Sequence, residues 1–275
     1  MRCLMREVIH DSGDFRDIDI FPVRKVPNTR KAKAKPSSET QKKLNEKNAA
    51  RRLTWLIQEN FGTNDYYIGL NYPAEYDINP ASGDRMLKNW IRRNKRKFQK
   101  AGFDFKYITT TEIGDKNRRV HHHVICSGEL GAQILREDWD KQFHAYKTKP
   151  TTSFSHAKHL KFTRTGLAGI AFYTCKDPSL SYRSYNCSKN LRRPEPKKRD
   201  GRVSGKKLKE LRADYLNAEI FEELYPGYEF VDADPYWDMY GIDENGEADK
   251  LEFPYITIRM FRKDSKYILR DKDRM

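Results

Sequence analysis

The stretch FDFKYITTTEIGDKNRRVHHHVICSG, residues 103–128, constrains the fold more than any other part of the chain. Two runs rich in β-branched and aromatic residues flank the polar turn Gly-Asp-Lys-Asn, a pattern that predicts a β-hairpin. Side chains of a strand alternate between its faces. His121 and His123 therefore point one way and His122 the other. On the partner strand Thr110 and Glu112 also share a face. If the register aligns the two faces, Glu112 adds a carboxylate to two imidazoles. Two histidines and one carboxylate, with positions left open, suit a single divalent ion. Mn²⁺ fits the nitrogens, and Mg²⁺ serves where phosphate supplies further oxygens. The same run also suits half-buried sheet histidines with satisfied hydrogen bonds.

The flanking segments predict what the hairpin packs with. DYYIGLNY reads as a strand that Pro73 ends. SGDRMLKNWIRRNKRKFQKAG reads as an amphipathic helix, with Met86, Leu87, Trp90, Ile91 and Phe98 on its buried side. Further helices are expected over SETQKKLNEKNAARRLTWLIQENF, LGAQILREDWDKQF and GLAGIAFYTCK, and a strand over KHLKF. The order β, α, β-hairpin, α, β, α makes an α+β fold: a small antiparallel sheet with helices on one face and a site on the other. Residues 1–50 are expected to be a basic N-terminal arm and the start of a helix. Residues 51–200 are expected to be the core. Residues 201–275 are expected to be a helical and β extension packing on it, with one long helix over GKKLKELRADYLNAEIFEEL and a late strand over FPYITIRMF. The acidic segment DADPYWDMYGIDENGEADK reads as a surface loop.

The formal net charge of +15 favours a polyanionic partner. Candidate contacts with DNA are Arg92, Arg93 and Arg96 on the amphipathic helix, Arg118 and Arg119 beside the histidines, and Lys189, Arg192 and Arg193 further on. Tyr66, Tyr67 and Tyr72 are candidates for stacking on bases or for the core. Four cysteines, Cys3, Cys126, Cys175 and Cys187, form no CxxC pair, so a disulfide framework and a zinc finger are both excluded. The apolar runs are too short to span a bilayer. A cytoplasmic protein without a membrane partner is expected.

Tyr173 and Lys176 are three residues apart on one side of the GLAGIAFYTCK helix. A tyrosine oxygen can attack a phosphodiester when its phenolate is stabilised, and a nearby Lys⁺ does this. Tyr182 and Tyr185 are alternative nucleophiles, and chemistry alone does not rank the three.

YYIGLNY, the His-x-His of RRVHHHVI and the Tyr-x-x-Lys of YTCK occur in that order. Together they resemble the HUH family of single-strand DNA endonucleases, and within it the rolling-circle replication initiators (Rep proteins) of phages and mobile elements. SYNCSKNLRRPEP is similar to the segment that follows the third motif in phage-type initiators, through Ser188, Asn190, Leu191 and Pro194. The resemblance covers roughly residues 60–200. It implies an RRM/ferredoxin-like HUH endonuclease core with N- and C-terminal extensions. Glu112, His121 and His123 would be its metal ligands, for Mn²⁺ or Mg²⁺, and Tyr173 and Lys176 its catalytic pair. The implied activity is nicking and joining of single-stranded or hairpin origin DNA through a 5′-phosphotyrosine link, in a bacterial host cell. The sequence departs from the pattern in having a third histidine between the ligands and a single motif-three tyrosine. No GxxxxGK[ST] occurs, so a separate helicase, with a polymerase, from the host or the element is expected to act with it. The alternatives are a transposase or relaxase of the same chemistry, a non-catalytic single-strand nucleic-acid-binding module, and a hydrolytic metal nuclease.

Overall fold

The computed structural model describes residues 4–23, 39–76, 78–114, 119–146, 153–174, 185–235, 240–242, 248–250 and 255–265. For residues 39–44, 144–146, 172–174, 240–242 and 248–250 the description is of the backbone alone. Strands β1 (Met5–Ser12) and β2 (Phe15–Pro22) precede helix α1 (Glu39–Asn60). Then come β3 (Tyr66–Leu70), α2 (Pro80–Lys100), β4 (Tyr107–Ile113), β5 (Val120–Cys126) and α3 (Ala132–Asp140), which runs into a 3-10 helix over Lys141–Tyr146. Next are β6 (Ser155–His159), α4 (Ala168–Thr174), β7 (Asn186–Cys187), β8 (Lys197–Asp200), α5 (Gly205–Ala213) and α6 (Ala218–Leu224). The chain closes with β9 (Tyr228–Asp234), β10 (Tyr240–Ile242), β11 (Ala248–Lys250) and β12 (Ile256–Arg262). No helix among the described residues is long and apolar enough to cross a membrane. Cys126 and Cys187 are free.

The chain divides into two compact units. One comprises Ala49–Phe162 and Leu167–Arg192. Its sheet has the order β6-β3-β5-β4-β7, so the histidine strand β5 lies at the centre. All four pairings are antiparallel. Alternation assigns the faces. Ile68, Leu70, Val124 and Cys126 point to one side and pack with Leu87, Trp90 and Phe98 of α2, with Leu135 and Trp139 of α3, and with Phe143. Burial of these aromatic and aliphatic groups is the main force holding the unit together. Asn79 starts α2, its side-chain oxygen accepting from the Ser82 N–H at 2.9 Å, and Pro80 fills the first turn. Gly102, at φ +82°, follows the helix end in the left-handed region.

The opposite face carries the histidine pair. It is not bare: Ile108 and Ile125 lie on it and are buried to 1% and 2% exposure. Apolar groups must cover that end. Leu53 and Ile57 of α1 and Ala168 and Ala171 of α4 are buried but lie outside the cluster on the α2 side.

The second unit comprises Met1–Asn48, Thr163–Gly166 and Arg193–Met275. Its antiparallel sheet has the order β8-β1-β2-β12-β9. Met5, Ile9, Ile18, Ile20, Ile256 and Ile258 pack with Leu208 and Leu211 of α5 and Phe221 of α6. Two α+β units of this kind, each a five-stranded antiparallel sheet packed by helices, are the fold class that the sequence implied.

Several expectations change. The N-terminal residues 5–22 are not an arm but a hairpin paired residue for residue from Met5↔Pro22 to Ser12↔Phe15. They share a sheet with the late strand β12, so chain beginning and chain end build one unit. The basic stretch 24–38 lies outside the described residues. The long helix expected near residue 205 is two helices, because Asn217 caps α6 by accepting from the Glu219 N–H at 3.2 Å. Part of the expected acidic loop is strand β9, with β10 and β11 pairing beyond it.

Candidate metal centre

Register brings Glu112 directly opposite His121, and Thr110 opposite His123. Glu112 Oε2 lies 3.3 Å from His121 Nε2 and 3.4 Å from His123 Nε2. The three donor atoms all lie within 4.8 Å of one another. The side chains are 15%, 21% and 9% exposed for Glu112, His121 and His123, so the cluster is largely shielded from water.

Each ligand is held by a second contact. His121 Nδ1 stands 3.3 Å from the Arg119 carbonyl, and donating there leaves Nε2 for an ion. His123 Nδ1 stands 2.6 Å from the Tyr67 hydroxyl, whose ring stacks on the imidazole at 5.5 Å between centroids. A partner on the far nitrogen fixes the tautomer and the ring plane of a metal-bound histidine. Burial pushes the Glu112 carboxyl up, but hydrogen bonds from His121 and His123 and their charge outweigh it and bring the pKa down to about 2. The hydrogen bond to Glu112 raises the His121 pKa against the opposing effect of burial.

The residues fit a divalent ion. Two imidazoles and a carboxylate converge. The second carboxylate oxygen, Glu112 Oε1, and the neighbouring Thr110 hydroxyl are buried without a hydrogen-bond partner among the described residues. A buried carboxylate oxygen with nothing to bond costs free energy that a cation would recover.

His122 has a different role. It is fully buried on the α2 face. Its Nε2 lies 2.7 Å from the Tyr72 hydroxyl and its Nδ1 2.9 Å from Thr111 Oγ1, which in turn donates to Asp84 at 3.2 Å. Both ring nitrogens are engaged by neutral groups. Desolvation first, then the charges of His121 and His123, lower the His122 pKa to about 3. Tyr67 and Tyr72, read from the sequence as candidates for stacking or core, both serve histidines. The positioning role of Tyr67 depends on the pairing of β3 with β5, which nothing local in the sequence encodes.

The other candidate residues are spread out. Arg92, Arg93 and Arg96 sit on α2, across the sheet from the cluster. Arg93 is tied to Asp138, 2.8 Å from Nε to Oδ2. Arg92 donates to Asn89 at 2.6 Å, and Arg96 is exposed. Arg119 donates to the carbonyls of Tyr72 and Pro73. Lys189 and Arg193 are exposed, and Arg192 faces Glu59 at 3.5 Å. Tyr185 is half-buried just before β7. Tyr173 belongs to the backbone of α4, and its side chain lies outside the described residues, as do Arg118, Lys176 and Tyr182. His156, to which the sequence reading gave no role, stands on the metal face, level with His123 across Gly69.

An antiparallel sheet covered by helices on one face, with a His-x-His pair and a carboxylate on the other, has the architecture of an HUH-type core. Residues 65–177 match the family model described as replication-associated protein ORF2. The matched stretch runs from the start of β3 past α4 and includes all three cluster residues, so this part of the chain is Rep-like and of the HUH family. Neither a comparison with curated proteins nor one with solved structures gave a match.

Proposed function

We propose that the chain is a metal-dependent, site-specific nickase of single-stranded DNA that starts rolling-circle replication. The observation that carries this reading is the Glu112–His121–His123 cluster within a segment that matches a replication-associated family. A divalent ion bound there, Mn²⁺ or Mg²⁺, supplies Lewis-acid stabilisation of a phosphate oxygen. Glu112 and the two imidazoles hold it, and Tyr67 and the Arg119 carbonyl keep the imidazoles in the ligating tautomer.

Tyr173 is the proposed nucleophile, with Lys176 easing formation of its phenolate. The phenolic oxygen forms a bond to phosphorus and the P–O3′ bond breaks. The leaving oxygen takes a proton and becomes a free 3′-OH, while the 5′-phosphate stays on the tyrosine. One phosphoester bond replaces another, so the step runs backwards to rejoin ends. Tyr182 and Tyr185 are the alternative nucleophiles. The proposed substrate is single-stranded or hairpin origin DNA in the cytoplasm of a bacterial host, opened by a separate helicase and copied by a separate polymerase. A non-catalytic binding module would need no ion, and would leave the buried Glu112 Oε1 unexplained.

The test is a denaturing gel of the protein incubated with labelled single-stranded DNA and Mn²⁺. A band of protein covalently joined to DNA is expected, absent with chelator and absent in Tyr173→Phe. Cleavage without a joined band would point to hydrolysis instead. A joined band that survives Tyr173→Phe would move the nucleophile to Tyr182 or Tyr185.

A further inference from the structure

One row of residues crosses the metal face of the central sheet. Thr110 of β4 pairs with His123 of β5, His123 with Gly69 of β3, and Gly69 with His156 of the edge strand β6. Backbones two strands apart lie about 10 Å from each other. His156 closes much of that gap. A Cβ built on Gly69 would sit 2.0 Å from His156 Cε1, 2.5 Å from Nε2 and 2.8 Å from Nδ1. The imidazole therefore lies over the bare backbone of Gly69, aimed from the sheet edge towards His123. Glycine weakens a strand interior, and in such a place it marks a close approach. Here the approaching group is a ring.

His156 nevertheless stays exposed, as does Lys158, two residues along on the same face. Ser155 and Ala157, the alternate positions, point to the core side. The α3 guanidinium of Arg136, which donates to the Ser155 carbonyl at 3.2 Å, adds positive charge at this edge. A ring N–H and an ammonium, side by side and open to solution, are hydrogen-bond donors for a phosphate. They lie about one nucleotide step from the metal cluster along the row.

We propose that His156 and Lys158 form a second phosphate subsite, which takes the phosphodiester next to the one held at Glu112, His121 and His123. Gly69 makes the subsite possible by leaving room for the ring. The substrate strand then runs across the β-strands, from β5 over β3 to β6. This inference rests on the nickase reading above.

The test pairs protein variants with a chemically altered strand. An oligodeoxynucleotide spanning the phosphodiester that the wild-type chain cuts is made with one neutral methylphosphonate at a time. Binding is read by fluorescence anisotropy in EDTA, and covalent joining with Mn²⁺. His156→Ala is expected to weaken binding about tenfold. Gly69→Ala is expected to do the same by displacing the ring, while Mn²⁺ affinity stays unchanged. Lys158→Ala should lower the steepness of the salt dependence by about 0.7. One methylphosphonate, adjacent to the cut, should cost the wild-type chain a similar factor and cost His156→Ala nothing more. Losses that simply multiply at every position, or wild-type affinity in His156→Ala, would overturn the subsite while joining by the wild-type chain upholds the nickase. A wild-type chain that neither binds nor joins the strand would overturn both.

Discussion

The Tyr67 hydroxyl lies 2.6 Å from Nδ1 of His123. A side chain from the first motif strand thus sets the orientation of an imidazole from the second. Removing the hydroxyl leaves the ring stack and the fold but frees the tautomer. Tyr67→Phe is expected to weaken Mn²⁺ binding by about 10-fold or more. Calorimetric titration checks this, and circular dichroism should show an unchanged fold.

His122 and His121 are neighbours in sequence with opposite proton chemistry. The His122 pKa falls from 6.5 in the unfolded chain to about 3 when folded. Between these values the unfolded state binds the extra proton, so stability is lost as pH falls from 6.5 towards 3. His121 works the other way. Its raised pKa gives stability that is present below the unfolded value and lost as pH rises through the folded one. The depressed Glu112 carboxyl gives stability above its ordinary 4.5 that is lost as pH falls towards 2. The His122 contribution predicts a loss of about 1.4 kcal/mol per pH unit in the middle of its window. Urea titrations of the metal-free wild type and of His122→Gln at about pH 6, 5 and 4 should show a shallower pH dependence in the variant. Parallel curves would contradict the assignment.

Arg93 is a structural cation. With Lys97 it closes on Asp138, which is 8% exposed, and so joins α2 to α3. Arg93→Ala is expected to cost about 1 kcal/mol of stability. Its affinity for single-stranded DNA should match that of the wild type. A drop in affinity at constant stability would restore Arg93 to the DNA surface.

Gly128 accommodates a backbone crossing. A Cβ there would meet the Asn64 carbonyl oxygen at 1.9 Å, and the Gly128 N–H donates to Asp65 at 2.9 Å. Gly128→Ala should destabilise the chain by about 3 kcal/mol. A thermal melt within a degree of the wild type would contradict the close approach.

The site was legible where it is local. One hairpin carries all three ligands, and strand alternation alone separates His121 and His123 from His122. The fold was legible where apolar periodicity is strong, as in α2 and in the alternation of β5. It failed where burial is polar. β6 was expected at KHLKF but lies three residues earlier, because its inward positions are Ser155 and Ala157, and Ser155 is satisfied by Asp140 at 3.1 Å rather than by apolar contacts. His156 was missed for the same reason. The N-terminal hairpin hid behind Glu7, Asp17 and Asp19, all buried and charged. Glu7 accepts from the Tyr225 hydroxyl at 2.5 Å and from Arg202 at 2.8 Å, and Arg259 lies 2.9 Å from Asp17. Those partners are 195 or more residues away along the chain, beyond the reach of any local pattern.

Mn²⁺ titration of the metal-free chain is the most direct test of the ligand set. One ion per chain is expected to bind, and Glu112→Ala, His121→Ala and His123→Ala should each weaken binding by at least about 10-fold while keeping the wild-type circular dichroism spectrum. Wild-type affinity in all three variants, or no bound ion in the wild-type chain, would contradict the metal centre and the strand chemistry built on it.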